Sequence, residues 1–209
     1  MPQTPNPTNP NPTRMQSTLH TRTFRLNSLL FFTFLILAVG LGLSLPERVP
    51  VHFGLDGTPN RWSDQALGHW ILLSSVATIT FLQGHLFQRF VLSDPASSLL
   101  SVRRKKEFLA LPVSRRVPVF RRANRLLGIV NTLILLLFSA LLILIRFSGG
   151  GMERVGLAPV RAGLLALLVA LVAIPALEGI ALSRMVNRVL DEQPSSLKSP
   201  PNRELPHDA

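Results

Sequence analysis

Four stretches of the chain run for about twenty residues with almost no charge, the length that carries a helix across a bilayer core about 30 Å thick. Between Arg25 and Glu47 the sequence is LNSLLFFTFLILAVGLGLSLP. Between Asp64 and Arg89 it is QALGHWILLSSVATITFLQGHLFQ, the least apolar of the four and the one with two histidines. The third stretch lies between Arg125 and Arg146, and the fourth, interrupted only by Glu178, between Arg161 and Arg184. Backbone at that depth finds no water and must satisfy its own hydrogen bonds, so all four are expected to be helices. The expected fold is all-α: an integral membrane protein of four transmembrane helices. Residues 26–90 form the first helical hairpin and 126–190 the second, with a basic loop over 91–125 between them. The segment SRMVNRVLDEQ is expected to prolong the fourth helix past the membrane.

Arg and Lys set the orientation, because they accumulate on the cytoplasmic side. Of the 22 basic residues, 17 fall in the N-terminal segment, the 91–125 region with its flanking Arg89, and the C-terminal tail. The two remaining loops hold five. Both termini are therefore expected in the cytoplasm of a plasma-membrane protein. Trp62 and Trp70 flank the outer end of the second span, where interfacial aromatics belong. The first span is longer than the 7–15 residue core of a signal peptide and is followed by no small-x-small cleavage site, so it reads as an uncleaved signal anchor.

Composition supports this reading. Hydrophobic residues make up 47% and charged residues 16% of the 209, yet the net charge is +11; mean hydropathy is +0.33. Few charges with a large imbalance mean charges that are clustered. With no cysteine, disulfides, thiolate metal sites and thiol nucleophiles are excluded. Residues 1–24 are Pro/Asn/Thr-rich, with five prolines in the first twelve, and residues 191–209 are Pro/Ser-rich; neither can bury a core, and both are expected to be disordered.

The distinctive chemistry lies between the first two spans, in the loop 46–66. Val49, Val51, Phe53 and Leu55 alternate with Pro50, His52 and Gly54, which predicts a short strand. Asp56-Gly57 is a strong turn pair. Ser63 is the expected N-cap of the second span. The loop should thus be short, ordered and extracytoplasmic.

The series Leu45-Pro46-Glu47-Arg48-Val49-Pro50-Val51-His52-Phe53, then Asp56-Gly57, then Asn60-Arg61-Trp62, resembles the signature of an uncharacterised bacterial membrane domain. That domain forms the N-terminal module of SdpI-type immunity and signal-transduction proteins. The resemblance covers roughly residues 26–90. It implies a plasma-membrane protein that senses or neutralises an extracytoplasmic peptide or toxin, in some relatives through a cytosolic regulator. His52, Asp56, Gly57, Asn60, Arg61 and Trp62 would then form the recognition element. The alternative for each is structural: Gly57 shapes a turn, Asp56 caps, and Arg61 and Trp62 anchor at the headgroups.

Polar groups within spans are functional candidates by default. From 1.5 Å per residue, Gln83 lies about 8 Å and His85 about 5 Å from the inner end of span two. Asn131 and Glu178 lie about 8 Å from the inner ends of spans three and four. Gln83, His85, Asn131 and Glu178 are expected to form one hydrogen-bonded cluster, with His85 and Glu178 as an ion pair. Its bland role is glue between helices; its active role would be proton, ion or signal coupling. Pro175 is expected to kink span four. The basic 91–125 segment serves the orientation rule or, alternatively, an anionic-lipid or acidic-partner surface. Its sparse aromatics argue against nucleic acid.

Three function classes compete. A non-enzymatic sensing or immunity module rests on 46–66. A small transporter, or an accessory subunit of one, rests on the inner polar cluster. An enzyme has the least support: the chain has no Gly-rich phosphate loop, no GxSxG, no HExxH and a single intramembrane acid. No cofactor is expected, and the spacing of His52, Asp56, Asp64 and His69 matches no zinc pattern.

Overall fold

The computed structural model describes residues 22–54, 58–100, 102, 104–148 and 158–192. The elements run α1 (Arg22–Gly42), β1 (Val49–Phe53), β2 (Pro59–Ser63), α2 (Ala66–Phe90), α3 (Lys105–Ala110), α4 (Val113–Ser148) and α5 (Ala158–Asp191). Four helices, α1, α2, α4 and α5, are long and apolar enough to cross a membrane. Together they give a multi-pass membrane architecture. Tail residues 1–21 and 193–209, like the expected turn at Asp56 and Gly57, lie outside the described residues. Arg22, Thr23 and Phe24 already belong to α1, so the helix begins inside the segment expected to be disordered.

Three of the long helices form one core. Phe34 and Ala38 of α1, Trp70, Ala77 and Phe81 of α2, and Leu135 and Leu142 of α4 are buried against one another. α5 stands to one side of this core. It packs along α4, and none of its most apolar 18-residue window is buried within the chain. Leu165, Val169 and Val172 point outward, as suits a helix whose solvent is lipid.

The second core has no counterpart in the sequence reading. α4 begins at Val113, inside the segment expected to be a loop. Its 36 residues extend about 54 Å, against a hydrocarbon core of about 30 Å. The extension carries Val119, Phe120 and Ala123, which close with Leu92, Phe108 and Leu111 on Val186 and Leu190 of α5. Positions 119, 120 and 123 share a face at helical spacing, so the basic region is an amphipathic helical cap. Arg104 clasps it from the surface. It adopts a left-handed backbone conformation (φ 59), and its guanidinium donates to Glu107 and, at 3.2 Å, to Asp191 at the end of α5. Those two carboxylates, Glu107 foremost, raise its pKa.

At the opposite end, the loop between α1 and α2 is a two-stranded antiparallel hairpin. It holds the strand expected at Val49–Phe53 and pairs it with a second, Pro59–Ser63, that the sequence reading did not give, and β1 lies against α4. Ser63 does not cap α2: it ends β2, and its Oγ accepts the Gln65 N–H at 3.1 Å, while Gln65 takes the cap position. Trp70, expected as an interfacial aromatic, faces α1. It is buried, and its indole N–H donates to the Ala38 carbonyl of α1 at 3.0 Å.

Candidate functional site

The hairpin is built as the alternation of Val49, Val51 and Phe53 predicts, but both strands are short and irregular. Val49 pairs with Ser63, Pro50 with Trp62, His52 with Arg61 and Phe53 with Pro59, and the register shifts on either side of His52. Such shifts bend a ribbon and redirect side chains. The Gly54 N–H donates to the Thr58 carbonyl at 2.8 Å and closes the turn. Val49 and Pro50 are buried, so the base of the hairpin is anchored while its far part is free to make contacts.

On that exposed part the His52 Nδ1–H donates to Asn60 Oδ1 at 2.5 Å. The bond fixes the imidazole tautomer and leaves Nε2 as its available polar atom. Arg61 is exposed beside them, and Trp62 is half-buried. Arg48 Nε and Asp64 Oδ1 join the two ends of the hairpin at 2.7 Å, a solvated pair of small energetic value. Of the six expected loop residues, the structure brings His52, Asn60 and Arg61 together and sets Trp62 against Pro46, Glu47 and Arg48 in a shallow hollow. Asp56 and Gly57 fall outside the described residues.

Below the hairpin, α1 and α2 part to leave an apolar groove of about 520 Å³, with Leu35, Val39, Leu43, Leu67 and Ile71 among its walls. Trp70 forms its floor near Gly42, where an added β-carbon would come within 2.8 Å of the indole nitrogen.

The expected intramembrane cluster is redrawn. Asn131 is buried and donates to Gln88 Oε1 at 3.3 Å. Gln83 is exposed and takes no part. His85 stacks on Phe24 of α1, with ring centroids 3.9 Å apart, and on Phe81. Glu178 is not its partner: the carboxylate accepts from Arg122 Nε at 2.9 Å, between α4 and α5. The buried polar layer instead consists of Asn27, Gln88, Asn124 and Asn131, with Thr132. Gln88 Nε2 donates to both the carbonyl and the Oδ1 of Asn124, each at 2.9 Å. Asn27 Nδ2 donates to the Gly128 carbonyl at 2.8 Å, and Thr132 Oγ1 donates to Asn27 Oδ1 at 2.6 Å. These bonds between uncharged groups link α1, α2 and α4 at about 0.6–1 kcal/mol each.

The sequence held a signal for this layer. Gly84 and Gln88 are four apart, and Asn124, Gly128 and Asn131 follow four and then three apart. Each set shares one helix face. Depth alone, without face, brought in Gln83 and left out Gln88.

A segment of the chain, residues 29–74, matches the family model of a domain of unknown function, DUF1648. It holds most of α1, the whole hairpin and the first turns of α2, so the likeness is to the part that carries the hairpin and groove. No curated protein and no solved structure matches.

Proposed function

We propose that this chain is a non-enzymatic module of the bacterial plasma membrane that recognises an extracytoplasmic agent, such as a secreted peptide toxin, through the hairpin 46–66. In this reading the hairpin faces outward and both termini face the cytoplasm, where the response passes to a cytosolic regulator, as the resemblance to SdpI-type proteins implies. The observation that carries it is the exposed His52–Asn60 pair beside Arg61, on a ribbon whose base is buried against α4. A loop needed only to reverse the chain has no use for an imidazole held by Asn60 beside an exposed arginine. The matched domain falls on the same segment.

Transport through the polar layer is the weaker reading, because the amides there are already engaged: Asn27 with Gly128 and Thr132, Gln88 with Asn124, and Asn131 with Gln88. Complementation separates the two. Cells lacking the gene are supplied with the wild-type chain or with His52→Ala, Asn60→Ala, Arg61→Ala or Glu178→Gln, and are challenged with the peptides their own culture secretes. Loss of protection by the hairpin variants at normal membrane levels, with Glu178→Gln unaffected, supports recognition. Full protection by all three hairpin variants would falsify it.

A further inference from the structure

At the end of the bundle away from the hairpin, α4 and α5 enclose a cleft of about 280 Å³ lined by Pro118, Arg121, Arg122 and Arg125 of α4 and Glu178 and Met185 of α5. We propose that this cleft binds the phosphate of an anionic membrane lipid. The inference is independent of the hairpin reading.

Charge is the first reason. Three guanidiniums face one carboxylate. Glu178 is committed to Arg122 at 2.9 Å, which neutralises that arginine and holds it against α5. Arg121 and Arg125 are exposed and form no ion pair among the described residues. They are four apart, so they project from one face a turn apart and repel one another. An anion between them removes that repulsion. The planar guanidinium matches phosphate oxygens two at a time, as an ammonium cannot.

Depth is the second reason, and it selects a lipid. The uncharged run of α4 starts at Leu126, directly after Arg125. The two free guanidiniums therefore sit at the boundary of the apolar segment, at headgroup level, while the cap continues beyond them. Basic pockets between membrane helices at this level suit lipid headgroups. Pro118 and Met185 close the cleft on its cap side, away from the apolar run of α4, so its open side faces the bilayer boundary. The volume lies at the small end of ligand sites, enough for a headgroup and too little for an acyl chain, which stays in the bilayer along the outward face of α5.

The full chain in non-ionic detergent is mixed with micelles holding equal amounts of phosphatidylglycerol and phosphatidylcholine, and the lipid retained through gel filtration is counted. The wild-type chain should retain phosphatidylglycerol preferentially. Replacing Arg121 and Arg125 together by Gln should lower that preference by about fivefold per arginine, while replacing Lys105 and Lys106 by Gln leaves it unchanged. An unchanged ratio in the arginine variant overturns the site. So does an equal fall in the lysine variant, since the effect would then be diffuse charge. Displacement of the lipid by millimolar inorganic phosphate would show an anion site without lipid selectivity, and would also overturn the proposal. If the glutamine pair fails to fold, Arg121→Lys with Arg125→Lys carries the test: charge is kept, the fork is lost, and an undiminished ratio refutes it.

Discussion

Gly84 of α2 faces Asn131 of α4 so closely that a β-carbon on Gly84 would lie 2.3 Å from Asn131 Oδ1. The amide occupies the space the glycine vacates and is held there by Gln88. Close approach of two helices is the usual reason for glycine in a membrane segment. Gly84→Ala should therefore destabilise the chain by about 1–3 kcal/mol, the usual cost of overpacking. Asn131→Ala removes the obstructing atoms, so the double variant should lose less than the sum of the two single losses. Thermal unfolding in detergent reads all three, and strict additivity would show that the contact is not made.

Trp70 is 5% exposed and hydrogen-bonded to α1, whereas Trp62 is half-buried on the hairpin. In a Trp62→Phe variant the remaining emission should be blue-shifted and nearly insensitive to iodide. The Trp70→Phe variant should be readily quenched, and should unfold at lower temperature because a bond worth about 0.5–1.5 kcal/mol is gone. Strong iodide quenching of Trp70 would place it at the interface after all.

The cap around Phe120, which is fully buried, predicts that the basic region is folded. Phe120→Ala should cost about 3–5 kcal/mol locally and open α3 to trypsin at Lys105 and Lys106, with the α1–α2 hairpin still protected. Equal cleavage of the wild-type chain at these lysines would mean that the cap does not hold.

With no native cysteine, orientation can be read by single-cysteine labelling. Thr58→Cys on the hairpin and Ser98→Cys after α2 both replace exposed residues. The positive-inside rule predicts that an impermeant maleimide added to intact cells labels position 58 and spares 98. The reverse pattern inverts the chain and removes the basis for hairpin recognition.

The four apolar runs, their alternating direction and the strand at Val49–Phe53 were legible in the sequence because each follows from local composition: length against bilayer thickness, and period two against period 3.6. What the sequence could not convey was which face of each helix meets which neighbour. Gln83 and Gln88 are both glutamines near one end of the same span, yet one is exposed and the other buried on Asn124; only the rotation of α2 against α4 separates them. The depth count set Glu178 level with His85, and the packing of α5 along α4 gave it to Arg122 instead. The region after α2 was dominated by its charges, which mark a side of the membrane; its few apolar residues become a core only when α4 and α5 bring Phe120 and Leu190 together. Local pattern determines the elements, whereas partner choice depends on contacts between residues far apart in the chain, and those exist only in the folded structure.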